Sequence, residues 1–424
     1  MKKKIFYGWW VVLATNIICM LGFGTWLYSF GVFFKPMMIE FGWTRALTSG
    51  AASLRSIEGG VAGPVVGWAV DKYGARIVIL FGGIVSGLGF AMMFFVNSLL
   101  GFYLFYGIIL SIGMSAMLYI PAFTVTAQWF SKKLSMALAL LAVGAGLGGL
   151  VCAPSVAALI AGLGWRVTFL IIGITIWVVV IPLSFVVKNS PAEMGMAPDG
   201  DPLDTNGRAD TGAHKSNEEL YDSSGQTDYT LKQALRSSSF WVLALCFFCM
   251  SITHSTVFVH AIPFLTDVGI SMTTAAFSIG LLTVVSIAGR LSFGYLGDYI
   301  DKRYLLMVAY FLMAAGVVIL TNAREMKTVY LFIAFFGVGF GANVPLMPAI
   351  RAQYFGRKDL GKIQGSMSPI TMLAGAIGPV LAGYLFDTTG SYNSAFMLTV
   401  VLCIFAGFLI LFARPKRLPI KISA

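Results

Sequence analysis

The chain alternates long apolar runs with short polar segments. Each run is about 20 residues or longer, which is the length that an α-helix needs to cross the hydrocarbon core of a bilayer. This pattern predicts an all-α membrane protein with twelve transmembrane helices. The twelve runs occupy residues 8–34, 46–70, 76–97, 100–128, 134–161, 166–187, 240–266, 272–296, 303–322, 328–350, 363–386 and 392–413.

One long polar segment interrupts the pattern in the middle of the chain. Residues 188–239 are rich in Asp, Gly, Ser and Asn and poor in large apolar residues, which predicts a mostly flexible linker. It separates an N-terminal six-helix bundle, residues 1–187, from a C-terminal six-helix bundle, residues 240–424. The end of the linker, Thr230–Arg236, is expected to form an amphipathic helix on the membrane surface. The first apolar run is too long for a cleavable signal peptide and is expected to stay in the bundle.

The composition and the positions of the basic residues agree with a membrane protein. Of 424 residues, 58% are hydrophobic and 11% are charged, whereas soluble domains carry about 25% charged residues. Of the 29 Lys and Arg residues, 22 lie in the termini, the linker and the loops on the linker's side, and 5 lie on the opposite side. This asymmetry predicts that both termini and the linker are cytoplasmic. Contact with anionic lipid explains the net charge of +11, so nucleic-acid binding has no support.

Two sequence motifs occur once in each half of the chain. Gly67-Trp-Ala-Val-Asp71-Lys72-Tyr-Gly74-Ala-Arg76 is echoed at residues 294–303, with Asp71 and Asp298 separated by 227 residues. Ala127-Gln-Trp-Phe-Ser-Lys-Lys133 matches Ala352-Gln-Tyr-Phe-Gly-Arg-Lys358, with a separation of 225 residues. Two matches at nearly the same separation predict a duplicated structure of two six-helix halves.

The motifs at residues 67–76 and 294–303, together with the six-plus-six layout, resemble the major facilitator superfamily. Finer features are similar to the monocarboxylate transporters and the related bacterial oxalate/formate exchangers. These features are Tyr7-Gly-Trp-Trp, the Trp129-Phe-Ser-Lys-Lys segment that enters the fifth run, and Ser190-Pro-Ala-Glu-Met-Gly after the sixth. The resemblance implies that the loop motifs bond to neighbouring helix ends in an outward-facing state and control gating. The implied gating residues are Gly67, Asp71, Lys72, Gly74, Arg76 and Asp298.

Three charged residues lie deep inside apolar runs, namely Arg55, Glu58 and Arg290. An ionised side chain at the bilayer centre costs about 2.5–3.5 kcal/mol on insertion scales, so each needs a partner or a water-filled cavity. Arg55 and Glu58 are three residues apart, so their side chains are expected to meet on one helix and neutralise each other. Glu58 is also a candidate proton carrier.

Arg290 has no acidic residue within reach along its own helix. A guanidinium presents a planar pair of donors that fits a carboxylate, so a substrate carboxylate is a candidate partner. Packing against backbone carbonyls, or against a carboxylate of another helix, stays open as an alternative. The resemblance implies the substrate role, because monocarboxylate transporters carry an eighth-helix arginine as the substrate anchor.

The chain departs from the proteins that it resembles at three positions. Animal members place an aspartate where this chain has Ser286 and a lysine where it has Tyr28, so their proton path does not transfer. The oxalate exchangers add a lysine on the eleventh helix, where this chain has Met372. A single unpaired buried cation predicts a substrate with one negative charge.

Polar residues of other helices are candidates for orienting the substrate. His254 and His260 are six residues apart and point in different directions, so only one is expected to face a central cavity. The resemblance places a histidine of this helix near the substrate, and His260 is the candidate for substrate contact and proton coupling. A hydrogen-bonded packing role for it stays open, as do interhelical hydrogen bonds for the remaining candidates. Those candidates are Tyr28, Tyr119 and Asn343, with Asn16 as a weaker choice.

These observations together predict a proton-coupled symporter of small monocarboxylates, such as L-lactate or pyruvate, that works by alternating access. An anion exchanger of the oxalate/formate kind is the nearest alternative, and a membrane sensor that keeps the carrier fold without transport is another. No nucleophile triad, metal cluster or nucleotide-binding loop is recognisable, so an enzyme is not expected and no cofactor is predicted. The expected setting is the inner membrane, with the chain as a monomer whose partners are the substrate, protons and the lipid bilayer.

Overall fold

The computed structural model describes residues 6–131, 133–200, 229–297, 299–356 and 359–413. Almost all of these residues are helical. The membrane helices of the first half are α1 (Gly8–Phe41), α2 (Arg45–Tyr73), α3 (Ala75–Phe95), α4 (Leu99–Trp129), α5 (134–163) and α6 (165–186). Those of the second half are α7 (Ser238–Asp267), α8 (Met272–Leu296), α9 (Lys302–Thr321), α10 (Met326–Phe355), α11 (Leu360–Thr389) and α12 (Asn393–Phe412).

Ten helical segments in the described part of the chain are long and apolar enough to cross a membrane. One of them, Met136–Val186, has 51 residues and contains both α5 and α6. The remaining helix, α2, is absent from the ten because it carries five charged residues. Its 29 residues nevertheless span about 43 Å at 1.5 Å per residue, which is longer than the hydrocarbon core. The twelve predicted crossings are therefore all present as helices.

The boundary between α5 and α6 lies at Gly164, whose φ of +77° and ψ of 164° interrupt the helix. Glycine adopts this backbone conformation without the steric cost that a Cβ would bring. Packing shows that the chain reverses there. Helix α5 packs parallel to α1. Helix α6 packs antiparallel to α3, as the contacts of Gly83 with Val180 and of Gly173 with Gly87 show.

The second pair of repeated motifs holds the two ends of the linker. In the first half, Trp129 Nε1 donates to the carbonyl of Lys188 at 2.8 Å, and Asp199 accepts from the backbone N–H of Ser131 at 2.8 Å. In the second half, the N–H of Tyr229 donates to the carbonyl of Phe355 at 2.9 Å. We call the end of the bundle that carries these contacts the linker face. The expected amphipathic helix is short, Leu231–Leu235, and it begins with a capping box between Thr230 and Gln233.

The two halves meet along three pairs of helices: α1 with α7, α2 with α11, and α5 with α8. Glycines allow close approach in the last pair, because a Cβ on Gly280 would lie 2.6 Å from the carbonyl oxygen of Gly149. At the end of the bundle opposite the linker face, α2 and α11 are joined tightly. The carboxylate of Asp387 accepts from the backbone N–H groups of Arg45 and Ala46, at 2.9 Å each.

Candidate functional site

A cavity of about 400 Å³ lies between the two halves at the middle of the bundle. Its wall comes from α1 and α2 of the first half and from α7 and α11 of the second. The lining contains one cationic side chain, one imidazole and several hydroxyl groups, and no acidic residue. The lining residues are Trp26, Leu27, Arg55, Ser56, Gly59, Gly60, Ser251, His254, Ser255, Phe258, Ser368, Thr371, Met372 and Gly375.

Two helices leave regular α-helical geometry beside this cavity. In α1, residues Phe23–Tyr28 form a π-helical segment, which places Trp26 and Leu27 on the cavity wall. In α4, the helix is broken at Leu118, with φ of −96° and ψ of −115°, one residue before Tyr119. Such interruptions are often found at functional sites, because they re-aim side chains and free backbone groups. The carbonyl of Trp26 is used in this way and accepts from Tyr106 Oη at 2.7 Å.

Arg290 lies on α8 and is partly buried, and it is not among the residues that line the cavity. Its Nη1 donates to the carbonyl of Ala142 on α5 at 3.3 Å, and its Nε is buried without a hydrogen-bond partner. No acidic residue in the described part of the chain forms an ion pair with it. A backbone carbonyl, one of the alternative partners considered for Arg290, is therefore present. It satisfies only one end of the guanidinium.

Two of the predicted tyrosines lie near Arg290, close enough for the charge of the guanidinium to act on both hydroxyl groups. Tyr28 is buried and packs against Phe258, with 5.6 Å between ring centroids. Tyr119 is 46% exposed and stacks on Phe123 at 4.8 Å. Arg290, Tyr28 and Tyr119 thus lie near one another, although none of the three is among the residues that line the cavity, and their contact with a substrate stays a prediction.

His254, and not His260, faces the cavity. The ring of His254 stacks on Phe340 with 4.5 Å between centroids, and its Nε2 is buried without a partner. The charges of both Arg55 and Arg290 act on this imidazole. The sequence argument that only one of the two histidines faces the cavity agrees with the structure, but the choice of His260 was wrong.

His260 is completely buried outside the cavity, where α2, α7 and α11 meet. Its Nε2 lies 2.8 Å from the carbonyl of Pro379, so this nitrogen carries the proton and donates it. Its Nδ1 lies 3.0 Å from Tyr392 Oη, and Tyr392 Oη accepts from Arg45 Nη1 at 2.6 Å. The tyrosine proton is therefore free to bond to Nδ1. Both ring nitrogens are occupied, which is the packing role that the sequence left open.

Arg55 and Glu58 do not form the expected ion pair. The guanidinium of Arg55 lies on the cavity wall, where its Nη1 donates to the carbonyl of Trp26 at 3.3 Å. Glu58 Oε2 instead accepts from Ser115 Oγ of α4 at 2.9 Å, and its Oε1 is buried without a partner. Glu58 lines a separate, apolar groove of about 790 Å³ between α2 and the helices α3 and α4. The two side chains leave α2 toward different neighbours.

The two candidate asparagines lie between helices of one half. Asn343 donates to the carbonyl of Gly339 at 2.8 Å and faces Met313 of α9, so it points away from the cavity. Asn16 donates to the carbonyl of Leu140 at 2.6 Å and packs against Gly144. Asn16 thus makes an interhelical hydrogen bond, the alternative that the sequence left open, whereas the carbonyl bond of Asn343 lies within α10. Asn343 is not among the residues that line the cavity, and its role as a substrate contact stays a prediction.

The first loop motif lies at the linker face with its charged side chains exposed. Asp71 has no hydrogen-bond partner among the described residues, and Lys72 lies 4.9 Å from the ring of Trp68. Gly67 has open space around it, and Gly74 has a φ of +82° that favours glycine. The gating role of these residues stays a prediction.

The end of this motif contacts the segment that follows α6. The backbone N–H of Arg76 donates to Asn189 at 3.0 Å, and its guanidinium lies 4.9 Å from the Phe185 ring. In the second copy Asp298 lies outside the described residues. There, Arg303 pairs with Asp301 at 2.6 Å and holds the pKa of that carboxyl below its usual value.

An ionic network that the sequence analysis missed closes the end opposite the linker face. The carboxylate of Asp267 on α7 pairs with Lys35 of α1 at 2.5 Å and with Arg45 of α2 at 2.7 Å. Tyr392 and Asp387 complete this outer network through their bonds to Arg45. All five residues lie at helix ends, where charges are common, so nothing in the sequence distinguished them from ordinary surface residues.

The described hydrogen bonds and ion pairs between the halves lie at this outer end and in the middle of the bundle. The innermost pairs are Ser53 with the Ala376 carbonyl at 2.5 Å and Arg290 with the Ala142 carbonyl. Closer to the linker face, a Cβ added to Gly361 or Gly365 of α11, or to Gly67 of α2, would meet no atom within 4 Å. Among the described residues, the bonds between the halves therefore lie at the outer end and at the middle of the bundle. The cavity offers a guanidinium without an acidic partner among the described residues and an imidazole with an unpartnered nitrogen, which suits binding of an anion.

Solved transporter structures share this fold. A bacterial homolog of the human lysosomal transporter Spinster, crystallised in an inward-facing and occupied conformation, superposes with a TM-score of 0.72 at 16% identity, covering 97% of both chains. The D-xylose–proton symporter superposes with a TM-score of 0.71 at 15% identity, covering 97% of this chain and 99% of the symporter. At these identities the likeness concerns the fold alone.

Sequence comparisons are more specific. Monocarboxylate transporter 12 of Mus musculus is 27% identical over 417 residues, which cover 96% of this chain and 86% of that protein. Monocarboxylate transporter 13 of Bos taurus is 26% identical and covers 92% of this chain and 85% of its own length. The sequence model of the Major Facilitator Superfamily matches residues 12–322 and 262–423. The chain therefore belongs to the major facilitator superfamily of membrane transporters.

Proposed function

We propose that the protein is a proton-coupled carrier of small carboxylates that works by alternating access, with monocarboxylates such as L-lactate and pyruvate as the first candidates. One observation carries this proposal: the guanidinium of Arg290 has no acidic partner among the described residues, and its buried Nε has no hydrogen bond at all. A carboxylate is the anion that matches the paired donors of a guanidinium. The names of the relatives, monocarboxylate transporters, point to the same class of substrate.

The proposed route of the substrate rests on the bonds between the halves, which lie at the outer end and at the middle of the bundle. The excess of basic residues at the linker face supports a cytoplasmic position for that face, and we take the described conformation to be inward-facing and the setting to be the inner membrane. Transport to the other side requires opening of the outer network around Asp267 and closure at the linker face. The unpaired state of Asp71 fits this scheme, since its loop motif is proposed to bond only when the linker face closes.

Coupling to a proton follows from the energetics of charge movement. A lone anion that enters against an inside-negative potential costs about 2.3 kcal/mol per 100 mV, and a companion proton cancels this cost. His254 replaces His260 as the candidate proton carrier, because its Nε2 is unpartnered and it lies near two guanidinium groups. A bound anion offsets the positive charge of these guanidinium groups beside the imidazole. Glu58 stays a second candidate, although it faces the groove beside α4.

The test uses the purified full-length chain in liposomes that contain a pH-sensitive dye. An inward gradient of L-lactate or pyruvate should acidify the lumen with wild-type protein and fail to do so with Arg290→Ala. Arg324→Gln is the matched control, because Arg324 is an exposed arginine at the outer end of α9 and α10. Proton uptake by Arg290→Ala at the wild-type rate would refute the proposal.

Anion exchange is the second candidate function. It is favoured by Arg55 on the cavity wall, a second cation besides Arg290, because closing the empty carrier around two guanidinium groups without acidic partners is costly. An exchanger never closes its empty cavity, because it binds another anion before it returns to the first side. Fast oxalate counterflow that is independent of pH, without net proton movement, would favour exchange over symport.

A further inference from the structure

A second buried guanidinium faces the cavity from the first half of the protein. Arg55 is 8% exposed, and its guanidinium lies 5.2 Å from the Trp26 ring and 5.7 Å from the Phe30 ring. Its hydrogen bond to the Trp26 carbonyl is long, at 3.3 Å. No acidic residue in the described part of the chain forms an ion pair with it, since Glu58 is bonded to Ser115. The guanidinium of Arg55 therefore has N–H donors left for a ligand.

The surroundings of Arg55 offer further donors to a ligand. The indole N–H of Trp26 is buried without a hydrogen-bond partner, although Trp26 lines the cavity. Ser56, Ser368 and Thr371 place hydroxyl groups on the same wall, where each donates to a backbone carbonyl of its own helix. An unpartnered buried donor such as the Trp26 indole is uncommon in native proteins and calls for an explanation. A bound acceptor with several oxygen atoms would satisfy this indole N–H and the remaining N–H groups of Arg55 together.

The two guanidinium groups belong to different halves of the carrier. Arg55 lies on α2 of the first half and Arg290 on α8 of the second, and the charge of each acts on the His254 ring. The cavity that Arg55 lines has no acidic lining residue. A single carboxylate compensates the charge of only one of these two cations. The other cation then loses its water, without an anionic partner, when the cavity closes around the substrate. A substrate with two anionic groups compensates both.

We propose that Arg55 is a second anion-binding residue and that the site accepts short dicarboxylates, with one carboxylate at Arg290 and the other at Arg55. The inference rests on the proposed carboxylate transport and names the substrate class more narrowly. It revises the argument for a single negative charge, which assumed that Glu58 neutralises Arg55. A dicarboxylate held in this way contacts both halves and stabilises the closed, loaded state.

The test compares matched acids that differ by one carboxylate, namely succinate with butyrate and malonate with propionate. Binding to the purified full-length protein is measured by calorimetry at pH 7.5, where both carboxylates of each diacid are ionised. Wild-type protein should bind the better diacid at least about tenfold more tightly than its matched monoacid, which corresponds to about 1.4 kcal/mol. Arg55→Gln should abolish this preference and change monoacid binding less than about threefold. Arg290→Gln should weaken both acids.

Three results would overturn the inference: equal binding of diacid and monoacid by wild-type protein, an unchanged preference in Arg55→Gln, or an equal loss of both acids in that variant. If Arg55→Gln does not fold, Arg55→Lys keeps the charge, and retention of the diacid preference there is expected. The wild-type comparison alone needs no variant. Failure of the proposed function is a different result, in which neither diacid nor monoacid binds.

Discussion

Removing the carboxylate of Asp267 should open the end of the carrier that the outer network closes. Asp267 is the only residue of the described chain that pairs with both Lys35 and Arg45, at 2.5 and 2.7 Å. In Asp267→Asn, Arg45 loses its anionic partner while its side chain stays 8% exposed. The bond from Arg45 to Tyr392 and the contact of its guanidinium with the Phe386 ring, at 3.6 Å, remain. These remaining contacts limit the effect of the substitution.

The magnitude follows from the burial of the three groups. Breaking a fully buried pair by removing one partner costs about 3–5 kcal/mol, whereas exposed pairs contribute about 0–1 kcal/mol. Asp267 and Lys35 keep 29% and 20% of their side-chain exposure, so the network lies between these limits. We expect a loss of about 1–3 kcal/mol from the closed state, which shifts the equilibrium toward opening by about 5- to 150-fold.

The assay measures access to the cavity from the outer side. A cysteine at Ser56, on the cavity wall, is labelled with a membrane-impermeant maleimide, and the five native cysteines are all buried. Asp267→Asn should raise the labelling rate by about the factor given above. Glu40→Gln is the matched control, because Glu40 pairs with Arg166 at 2.8 Å at the same end but within one half. An unchanged rate in Asp267→Asn, or an equal rise in Glu40→Gln, would refute the reasoning.

Four further substitutions separate the roles of the cavity, the packing residues and the interface. His254→Gln should uncouple carboxylate uptake from proton uptake in liposomes, whereas His260→Gln should lower the thermal unfolding midpoint. Uncoupling by His260→Gln alone would contradict the assignment of proton coupling to His254. Tyr119→Phe should weaken carboxylate binding by about 2- to 13-fold, as for loss of one hydrogen bond of about 0.5–1.5 kcal/mol, and calorimetry showing no change would remove Tyr119 from the site. Gly280→Ala should slow transport strongly, because the added methyl group meets the Gly149 carbonyl. Gly162→Ala is its control, because a Cβ at that position has open space. Equal transport rates in the two variants would contradict the close-packing argument.

The fold was readable from the sequence because the bilayer restricts the choices. Apolar runs of sufficient length must form helices, since lipid offers no hydrogen-bond partners to the backbone. Two places need more than a count of long apolar helices. The reversal at Gly164 is so short that α5 and α6 form one helical segment, and α2, predicted from its apolar run at residues 46–70, carries five charged residues. The family assignment agrees with the repeated loop motifs.

The site was less readable because it depends on the direction in which each side chain leaves its helix. Three residues advance a helix by about 300°, so Arg55 and Glu58 point about 60° apart. That angle allows contact, but here it directs one side chain to the cavity and the other to Ser115. The choice between His254 and His260 likewise required the position of α11, whose Pro379 carbonyl binds His260. Sequence spacing alone does not contain the positions of neighbouring helices.

The most direct test of the central claim is the affinity of the purified protein for a carboxylate with and without the Arg290 guanidinium. Charge-assisted hydrogen bonds contribute about 1.5–3 kcal/mol, so Arg290→Gln should weaken L-lactate or succinate binding by about 10- to 150-fold. Arg290→Lys keeps the positive charge but loses the paired donors. Its affinity for the carboxylate should therefore lie between those of wild-type protein and Arg290→Gln. Binding by folded Arg290→Gln within about threefold of wild type would show that the carboxylate is held elsewhere.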